Sequence, residues 1–299
     1  PGAHGDGLRL SLSAHPCPSP SRTVVAMSSV GYHEPVAALP DAPRAMPRAM
    51  RSTGRLQRSR GRWPMREVTS IPLLTGSCRH PQRMTIADGS WRPATFESTA
   101  ILLLHPDAGP ILFDTGYDPA FLAATHRLPE RAYRWLTPVQ LPDGADAASQ
   151  CRALGVDPGD VRHLVLSHFH ADHMAGTHAF PNATIHCSAQ GYAAACKGGR
   201  VNAVLQGVVR ALFPPDFAAR ARFFEDGASL PLPSDLLPFT HGVDLLGDGA
   251  LMAVPLPGHC PGHWGLLISD SRFGLHFLVA DAAWSSDAIR RNVPPPVLT

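Results

Sequence analysis

One short stretch, Leu164–His173, constrains this chain more than any other. It reads Leu-Val-Leu-Ser-His-Phe-His-Ala-Asp-His, so an apolar run passes directly into four side chains that can bind metal ions. The apolar run predicts a buried strand that ends in a loop, with a helix beginning near Asp172. Alternate side chains of an extended backbone share one face, so His168 and His170 can point to the same place. Imidazole and carboxylate groups at this density favour Zn²⁺ or a similar divalent ion over a plain histidine-rich surface loop.

Three further stretches give this motif a context. In chain order, Ile111–Gly116, Leu164–His173, Pro257–His263 and Phe277–Asp281 resemble the four motifs of the metallo-β-lactamase-fold hydrolases. The pattern His-x-His-x-Asp-His after a hydrophobic strand is the signature of that superfamily. The resemblance runs from about residue 110 to residue 281. It implies an α/β (α+β) fold, an αββα four-layer sandwich.

The resemblance also implies the metal ligands and the chemistry. Metal one is expected on His168, His170 and His259, and metal two on Asp172 and His173, with Asp281 bridging both. Two Zn²⁺ ions are the expected cofactors. Water bound to such ions loses a proton near neutral pH, and the resulting hydroxide can attack a carbonyl group that the metals polarise. Asp172 is the expected catalytic residue, because it can orient the hydroxide or carry a proton to the leaving group.

Hydrogen-bond partners of the ligand histidines are expected behind the metal site, where they fix the tautomer of each imidazole ring. Asp114 is the best candidate, followed by Ser167 and His263. Asp114 can equally stabilise the turn at Thr115 and Gly116, and both roles are compatible. The remaining histidines that match no motif position are interpreted as structural or surface residues: His105, His126, His163, His178, His186, His241 and His276.

Composition and charge exclude several classes of protein. The net charge of +2 does not demand a nucleic acid or a membrane surface as partner, and the arginines cluster before residue 66. No apolar run approaches the length of a membrane-spanning helix, and no secretory signal is visible. Six cysteines without Cys-x-x-Cys spacing favour reduced thiols and a cytoplasmic location. Cys260 is interpreted as an ordinary loop thiol, with a place near the metal, beside His259, as the alternative.

The two ends of the chain carry separate expectations. Residues 1–64 are rich in Pro, Ser, Ala and Arg, which predicts a disordered or non-native leader before a hydrolase domain over residues 65–299. The natural start is predicted near Met65. The superfamily supplies a final histidine after the bridging Asp, whereas here no His follows His276. The domain is therefore expected to lack its C-terminal elements and to hold the second metal weakly.

The rest of the chain reads as strands interleaved with short helices. Hairpins are predicted over 98–114, 243–256 and 264–279, an additional short strand over 67–74, and the metal-bearing strand over 161–167. Helices are predicted over 119–125, 130–136, 146–154 and 189–196. Residues 198–226 read as a helical insertion whose apolar side chains are mainly packing, with a pocket wall as the alternative.

The substrate class depends on the resemblance more than on the residues. Ser77–Pro81, Phe113–Tyr117 and Ser167–His173 resemble N-acyl homoserine lactonase-like members, and this resemblance implies hydrolysis of a lactone or ester and a homodimer. In that branch a Tyr commonly stands three residues after the bridging Asp, where this chain has Trp284 with only an N–H donor. A glyoxalase-II-type thioesterase, another ester hydrolase and an inactive fragment are the alternatives. A nuclease of the same fold is disfavoured by the nearly neutral domain.

Overall fold

The structure, a computed structural model, describes residues 65–293, and the predicted leader over residues 1–64 lies outside them. Within the described residues the strands are β1 (Glu67–Pro81), β2 (Pro93–His105), β3 (Gly109–Phe113), β4 (Val139–Gln140), β5 (His163–Val165), β6 (Thr184–Cys187), β7 (Ala221–Phe223), β8 (Ser229–Pro231), β9 (His241–Asp244), β10 (Leu251–Pro255), β11 (Trp264–Asp270) and β12 (Gly274–Leu278). The α-helices are α1 (Pro119–Ala124), α2 (Arg131–Leu136), α3 (Ala147–Ala153), α4 (Ala171–Met174), α5 (Ala189–Cys196), α6 (Arg200–Leu205), α7 (Phe217–Arg220) and α8 (Ser286–Arg291).

The strands form two halves of one extended sheet. The first half has the order β7-β6-β5-β3-β2-β1, with β4 beside β1, and the second has the order β11-β10-β9-β8, with β12 beside β11. The halves join where β1 pairs in parallel with β11, at Glu67 with Ser269 and at Val68 with Asp270. Strands β3, β5, β6 and β7 are parallel to one another, so their carboxyl ends meet at one edge of the first half.

The layers follow from the alternation of side chains along each strand. On β2, Ile101 and Leu103 enter the core between the two halves, while Ala100 and Leu102 enter a second core under the helices. In the second half of the sheet, the side chains that point away from the first half form a third core at the outer surface. The segment 230–239, which begins in β8, packs against this third core. Helices, two sheets and an outer segment therefore make the layered arrangement that the sequence predicts.

Most predicted elements are confirmed, and the main difference lies in β1. The sequence predicts a short strand over 67–74, but β1 continues to Pro81 and pairs antiparallel with β2. The register shifts between Leu74 and Ser77, where Gly76 has φ +95°. A bulge at this glycine bends the strand and lets it continue, so the turn signal in the sequence did not mark an end.

The metal-bearing strand and the insertion also differ in detail from the prediction. β5 covers only His163–Val165, because the chain leaves the ladder before it reaches the histidines. The predicted helical insertion contains α6 and α7 but also the strand β7, which extends the first half of the sheet. Phe217 and Phe224 are fully buried, as expected for packing residues. Residues 65–293 contain no helix with the length and apolar character needed to cross a bilayer.

Candidate metal centre

The motif loop after β5 is clamped by backbone hydrogen bonds on both sides. The N–H of Trp264 donates to the carbonyl of Ser167 at 3.0 Å, and the N–H of Thr115 donates to the carbonyl of His173 at 2.8 Å. One neighbour belongs to the second half of the sheet and the other follows β3. The loop therefore lies at the junction of the two halves, with α4 beginning at its end, as the sequence predicts.

Three of the predicted ligand histidines converge at this junction. His170 Nδ1 lies 3.0 Å from His259 Nε2, and the rings of His168 and His259 have their centroids 4.8 Å apart. His168 is fully buried, and its Nε2 has no hydrogen-bond partner among residues 65–293. Because an unpaired buried nitrogen is costly, this atom is suited to a ligand that completes the group.

A second group is formed by His173 and two carboxylates. His173 Nε2 lies 3.3 Å from Asp281 Oδ1 and 3.5 Å from Asp172 Oδ2. The other oxygen of the Asp281 carboxylate, Oδ2, lies 3.3 Å from His259 Nε2. The two oxygens of Asp281 thus reach one histidine in each group, which is the arrangement expected of a bridging carboxylate.

The donor set fits divalent metal ions. Two nitrogens bound tetrahedrally at about 2.0–2.1 Å from Zn²⁺ lie roughly 3.3 Å apart. The three contacts at 3.0 Å and 3.3 Å between His170, His259, Asp281 and His173 match that spacing before any ion is added. Candidate donors within 4.8 Å of one another form two groups, of which one holds His168, His170, His259 and Cys260, and the other His168, His173 and Asp281. These residues could hold metal ions without a large rearrangement.

Asp114 lies directly behind both groups. Its Oδ2 accepts hydrogen bonds from Ser167 Oγ at 2.7 Å and from His173 Nδ1 at 2.8 Å, while its Oδ1 accepts from the N–H of Ser167 at 2.8 Å. Since the Ser167 hydroxyl proton points to Asp114, His168 Nδ1 donates to Ser167 Oγ at 2.9 Å. One carboxylate therefore leaves a lone pair on Nε2 of both His168 and His173, which is the tautomer that a metal ion needs.

The electrostatics of the centre also favour a cation. Burial lowers the pKa of His173, but the carboxylates of Asp172, Asp281 and Asp114 outweigh burial and hold this pKa well above its ordinary value. Burial raises the pKa of Asp281, yet the neighbouring histidines, His173 first, bring that pKa below its ordinary value. The carboxylates thus favour positive charge at His173 Nε2, which either a proton or a metal ion can supply.

The other groups titrate in the directions that burial dictates. Burial, followed by repulsion between the rings, holds the pKa of His168 and of His170 well below the ordinary value. These rings are neutral near pH 7, which is the state that binds a metal ion. Burial raises the pKa of Asp172 to about 6, against the opposing effect of His173.

All six predicted ligands are brought together, and Cys260 joins them. This residue was interpreted as an ordinary loop thiol, with a place near the metal as the alternative, and its Sγ lies in the first histidine group. The loop that carries it packs against the first turn of α5, where Gly262, with φ +69°, leaves no room for a Cβ beside Gly191. The signal for this position in the sequence is that Cys260 directly follows His259.

Two tyrosines beside Asp172 were not singled out from the sequence. Burial, followed by the charge of Asp172, raises the pKa of Tyr117 and of Tyr133 well above the ordinary value. Tyr117 follows the Asp114 turn and Tyr133 lies on α2, so both residues belong to the segment between β3 and β4. Trp284 lies on another side of the centre, with its ring centroid 6.4 Å from that of His259 and 5.7 Å from that of Phe96.

The insertion is attached to the motif loop through aromatic packing and one backbone contact. The ring of Phe169 stacks on Phe213, with centroids 5.6 Å apart, and meets Phe217 edge-on at 5.9 Å. The carbonyl of Gly207 accepts from the N–H of Ala171 at 3.1 Å. A Cβ on Gly207 would lie 2.8 Å from His170 Cδ2, so the insertion passes directly over a candidate ligand.

Comparison with known protein families agrees with this geometry. The family model for the metallo-beta-lactamase superfamily matches residues 94–275, which is more than half of the chain. The chain belongs to the metallo-β-lactamase superfamily. The match includes the Asp114 turn, the motif loop and His259, so the residues that build most of the centre lie inside it.

Several curated proteins are similar to this chain. An N-acyl homoserine lactonase AttM from Azorhizobium caulinodans is 33% identical over 156 residues, covering 50% of this chain and 52% of that protein. A probable metallo-hydrolase from Mycobacterium tuberculosis is 30% identical over 193 residues, covering 59% of this chain and 54% of that protein. The chain spans about half the length of the curated relatives it matches.

A solved structure shows the same fold. An N-acyl homoserine lactone hydrolase with the product N-hexanoyl-L-homoserine bound at its catalytic metal center has a TM-score of 0.59 and 20% sequence identity, covering 78% of this chain and 82% of that chain. This likeness confirms the αββα metallo-β-lactamase fold expected from the sequence.

Proposed function

We propose that this protein is a metal-dependent hydrolase that opens the ring of a lactone, with N-acyl homoserine lactones as the substrate class. The Asp281 carboxylate carries the proposal, since its two oxygens each lie 3.3 Å from a histidine of a different group. Support for the substrate class comes from the relatives, because an N-acyl homoserine lactonase is 33% identical over 156 residues.

Two divalent ions, with Zn²⁺ preferred, would be held by the residues that the sequence predicts as ligands. His168, His170 and His259 would hold one ion, and Asp172 and His173 the other, with Asp281 shared between them. When bound, such a pair supplies a water that ionises near neutral pH and a Lewis acid that polarises the substrate carbonyl.

The chain's own residues supply position and proton transfer. Asp114 and Ser167 hold the rings of His168 and His173 in the tautomer that leaves each Nε2 available. Asp172 is the proposed catalytic residue, because its carboxylate lies 3.5 Å from His173 Nε2 and remains partly open to solvent. There it can accept a proton from the attacking water and return it to the leaving oxygen of the opened ring.

Elemental analysis combined with a substrate panel tests the proposal. The 299-residue chain loaded with zinc should contain up to two ions and should open N-hexanoyl homoserine lactone, which a pH-stat detects as release of acid. Asp172→Asn should lower this rate by about 10²–10⁴-fold, the usual contribution of general acid–base catalysis. Asp118→Asn removes another buried carboxylate, one that caps α1, and serves as the matched control.

The panel also distinguishes the alternatives. Faster turnover of a thioester than of any lactone would reassign the chain to a glyoxalase-II-type activity. A chain that binds no metal and turns over none of the esters would be the inactive fragment instead. A single tightly held ion would agree with the weak second site expected from the sequence. A homodimer stays a prediction, which light scattering during size-exclusion chromatography can test.

A further inference from the structure

The three-histidine group contains a fourth side chain that can bind a metal ion. The Sγ of Cys260 and the donor nitrogens of His168, His170 and His259 all lie within 4.8 Å of one another. A cysteine near histidines would mean little by itself, but His168 Nε2 is fully buried in the same group without a hydrogen-bond partner among the described residues. This unsatisfied nitrogen is independent support for a ligand at the point where the four donors meet.

The backbone of the loop that carries Cys260 is held by contacts within the loop and with α5. The N–H of His263 donates to the carbonyl of Cys260 at 3.3 Å, and His263 Nδ1 donates to the carbonyl of Leu256 at 3.0 Å. A Cβ on Gly262 would lie 2.3 Å from the backbone nitrogen of Gly191, so the loop is in direct backbone contact with α5. The loop is therefore closed on itself and braced from outside, with Cys260 on the side of the histidines.

We propose that Cys260 is a further protein ligand, beside the shared Asp281 carboxylate, of the cation held by His168, His170 and His259. The inference rests on the metal centre of the proposed function and adds a sulfur to it. Binding forms a metal–sulfur bond and releases the thiol proton to solvent. One thiolate added to imidazoles and a shared carboxylate makes a donor set suited to Zn²⁺ and to softer ions such as Cd²⁺.

This ligand set has a consequence for the choice of metal ion. Cys260 should shift metal preference, because thiolate favours soft ions whereas imidazole and carboxylate tolerate harder ones such as Mn²⁺.

Cobalt(II) added to the metal-free full chain tests the proposal by absorption spectroscopy. The wild-type protein should show a sulfur-to-cobalt charge-transfer band in the near ultraviolet, together with the visible bands of protein-bound cobalt. Cys260→Ser should lose the ultraviolet band, keep the visible bands and bind Cd²⁺ roughly 10-fold more weakly or worse, with little change for Mn²⁺. Cys78→Ser is the matched control, because this buried thiol lies close enough to Asp172 for that carboxylate to raise its pKa.

A second measurement does not depend on any variant folding correctly. X-ray absorption at the zinc edge of wild-type protein loaded with one equivalent of Zn²⁺ should show one sulfur and about three nitrogens around the metal. A shell of nitrogen and oxygen alone, or an ultraviolet band that persists in Cys260→Ser, would overturn the proposal while leaving the metal centre intact. Failure to bind cobalt or zinc at all would overturn both. A sulfur ligand without lactone hydrolysis would refute only the proposed activity.

Discussion

Replacing Asp114 by Asn tests how one carboxylate prepares two candidate ligands. Asn is the most conservative change available, since Asp114 has φ +56° and Asn is among the few residues that tolerate this region. The amide oxygen can still accept from the backbone N–H of Ser167, as Oδ1 does now at 2.8 Å. The amide nitrogen, however, replaces the oxygen that accepts from Ser167 Oγ and His173 Nδ1.

The substitution should reverse the tautomers of His168 and His173. An N–H donor at this place repels the Nδ1–H of His173, so that ring must carry its proton on Nε2, which faces Asp281. The Ser167 hydroxyl must turn away from the amide and donate to His168 Nδ1, with the same result for the second ring. Partners of this kind are worth 10–100-fold in metal affinity, which is about 1.4–2.8 kcal/mol.

Competition against a chromophoric chelator measures this affinity directly. Zinc binding to Asp114→Asn should weaken by about 10–100-fold, with both ions affected because His168 belongs to both groups. Asp118→Asn is the control, because it neutralises a buried carboxylate of the same size whose cap Asn can replace. Zinc affinity of Asp114→Asn equal to that of Asp118→Asn would refute the argument from hydrogen-bond direction.

Three further changes test other parts of the structure. Gly207→Ala should displace His170 and weaken zinc binding by about 10-fold or more in the chelator assay, by analogy with partners of metal ligands. The control is Gly109→Ala, which has φ +74° and nothing within 4 Å of the added Cβ, so it should cost only the backbone strain. Equal zinc affinities of the two variants would contradict the expected steric contact. Phe217→Ala should lower the free energy of unfolding by about 3–5 kcal/mol in urea titrations, because removing a fully buried ring leaves a cavity between the insertion and the motif loop. A loss below about 1 kcal/mol would mean that the insertion folds separately from the domain. Burial lowers the pKa of His186 from 6.5 to about 4, so between these pH values the unfolded chain binds more protons than the folded chain. The free energy of unfolding should therefore fall by up to about 3 kcal/mol as the pH drops from 6.5 to 4. His186→Leu should flatten this part of the stability-versus-pH curve measured in the metal-free protein.

The motif loop and the hairpins were predictable because their signals are local. Four ligand-type side chains follow an apolar strand within six positions, and that density has few explanations other than a metal site. The hairpin of β2 and β3 follows from two apolar runs that meet at Gly109, whose φ of +74° a glycine supplies without strain. Patterns of this kind depend on neighbouring residues, so one sequence is enough to read them.

The features that the sequence did not reveal depend on contacts between distant segments. β1 extends past its glycine because β2 continues to pair with it, and nothing in residues 75–81 announces that partner. Cys260 lies in the first histidine group, on a loop whose Gly262 packs its backbone against α5. Tyr133 was assigned only to a helix, and its place beside Asp172 depends on how that helix packs. Each position is decided by tertiary packing, which local patterns do not encode.

The position of the candidate metal centre explains why its residues are scattered along the chain. His168 and His173 follow β5 in the first half of the sheet, whereas His259 follows β10 and Asp281 follows β12 in the second half. The contacts of 3.3 Å that Asp281 makes to His173 and to His259 exist only if the two halves are packed together. A metal ion held there would bind both halves at once, so its binding energy would also stabilise the folded arrangement of the domain. The junction of the sheets is therefore where folding and the proposed chemistry require the same set of contacts.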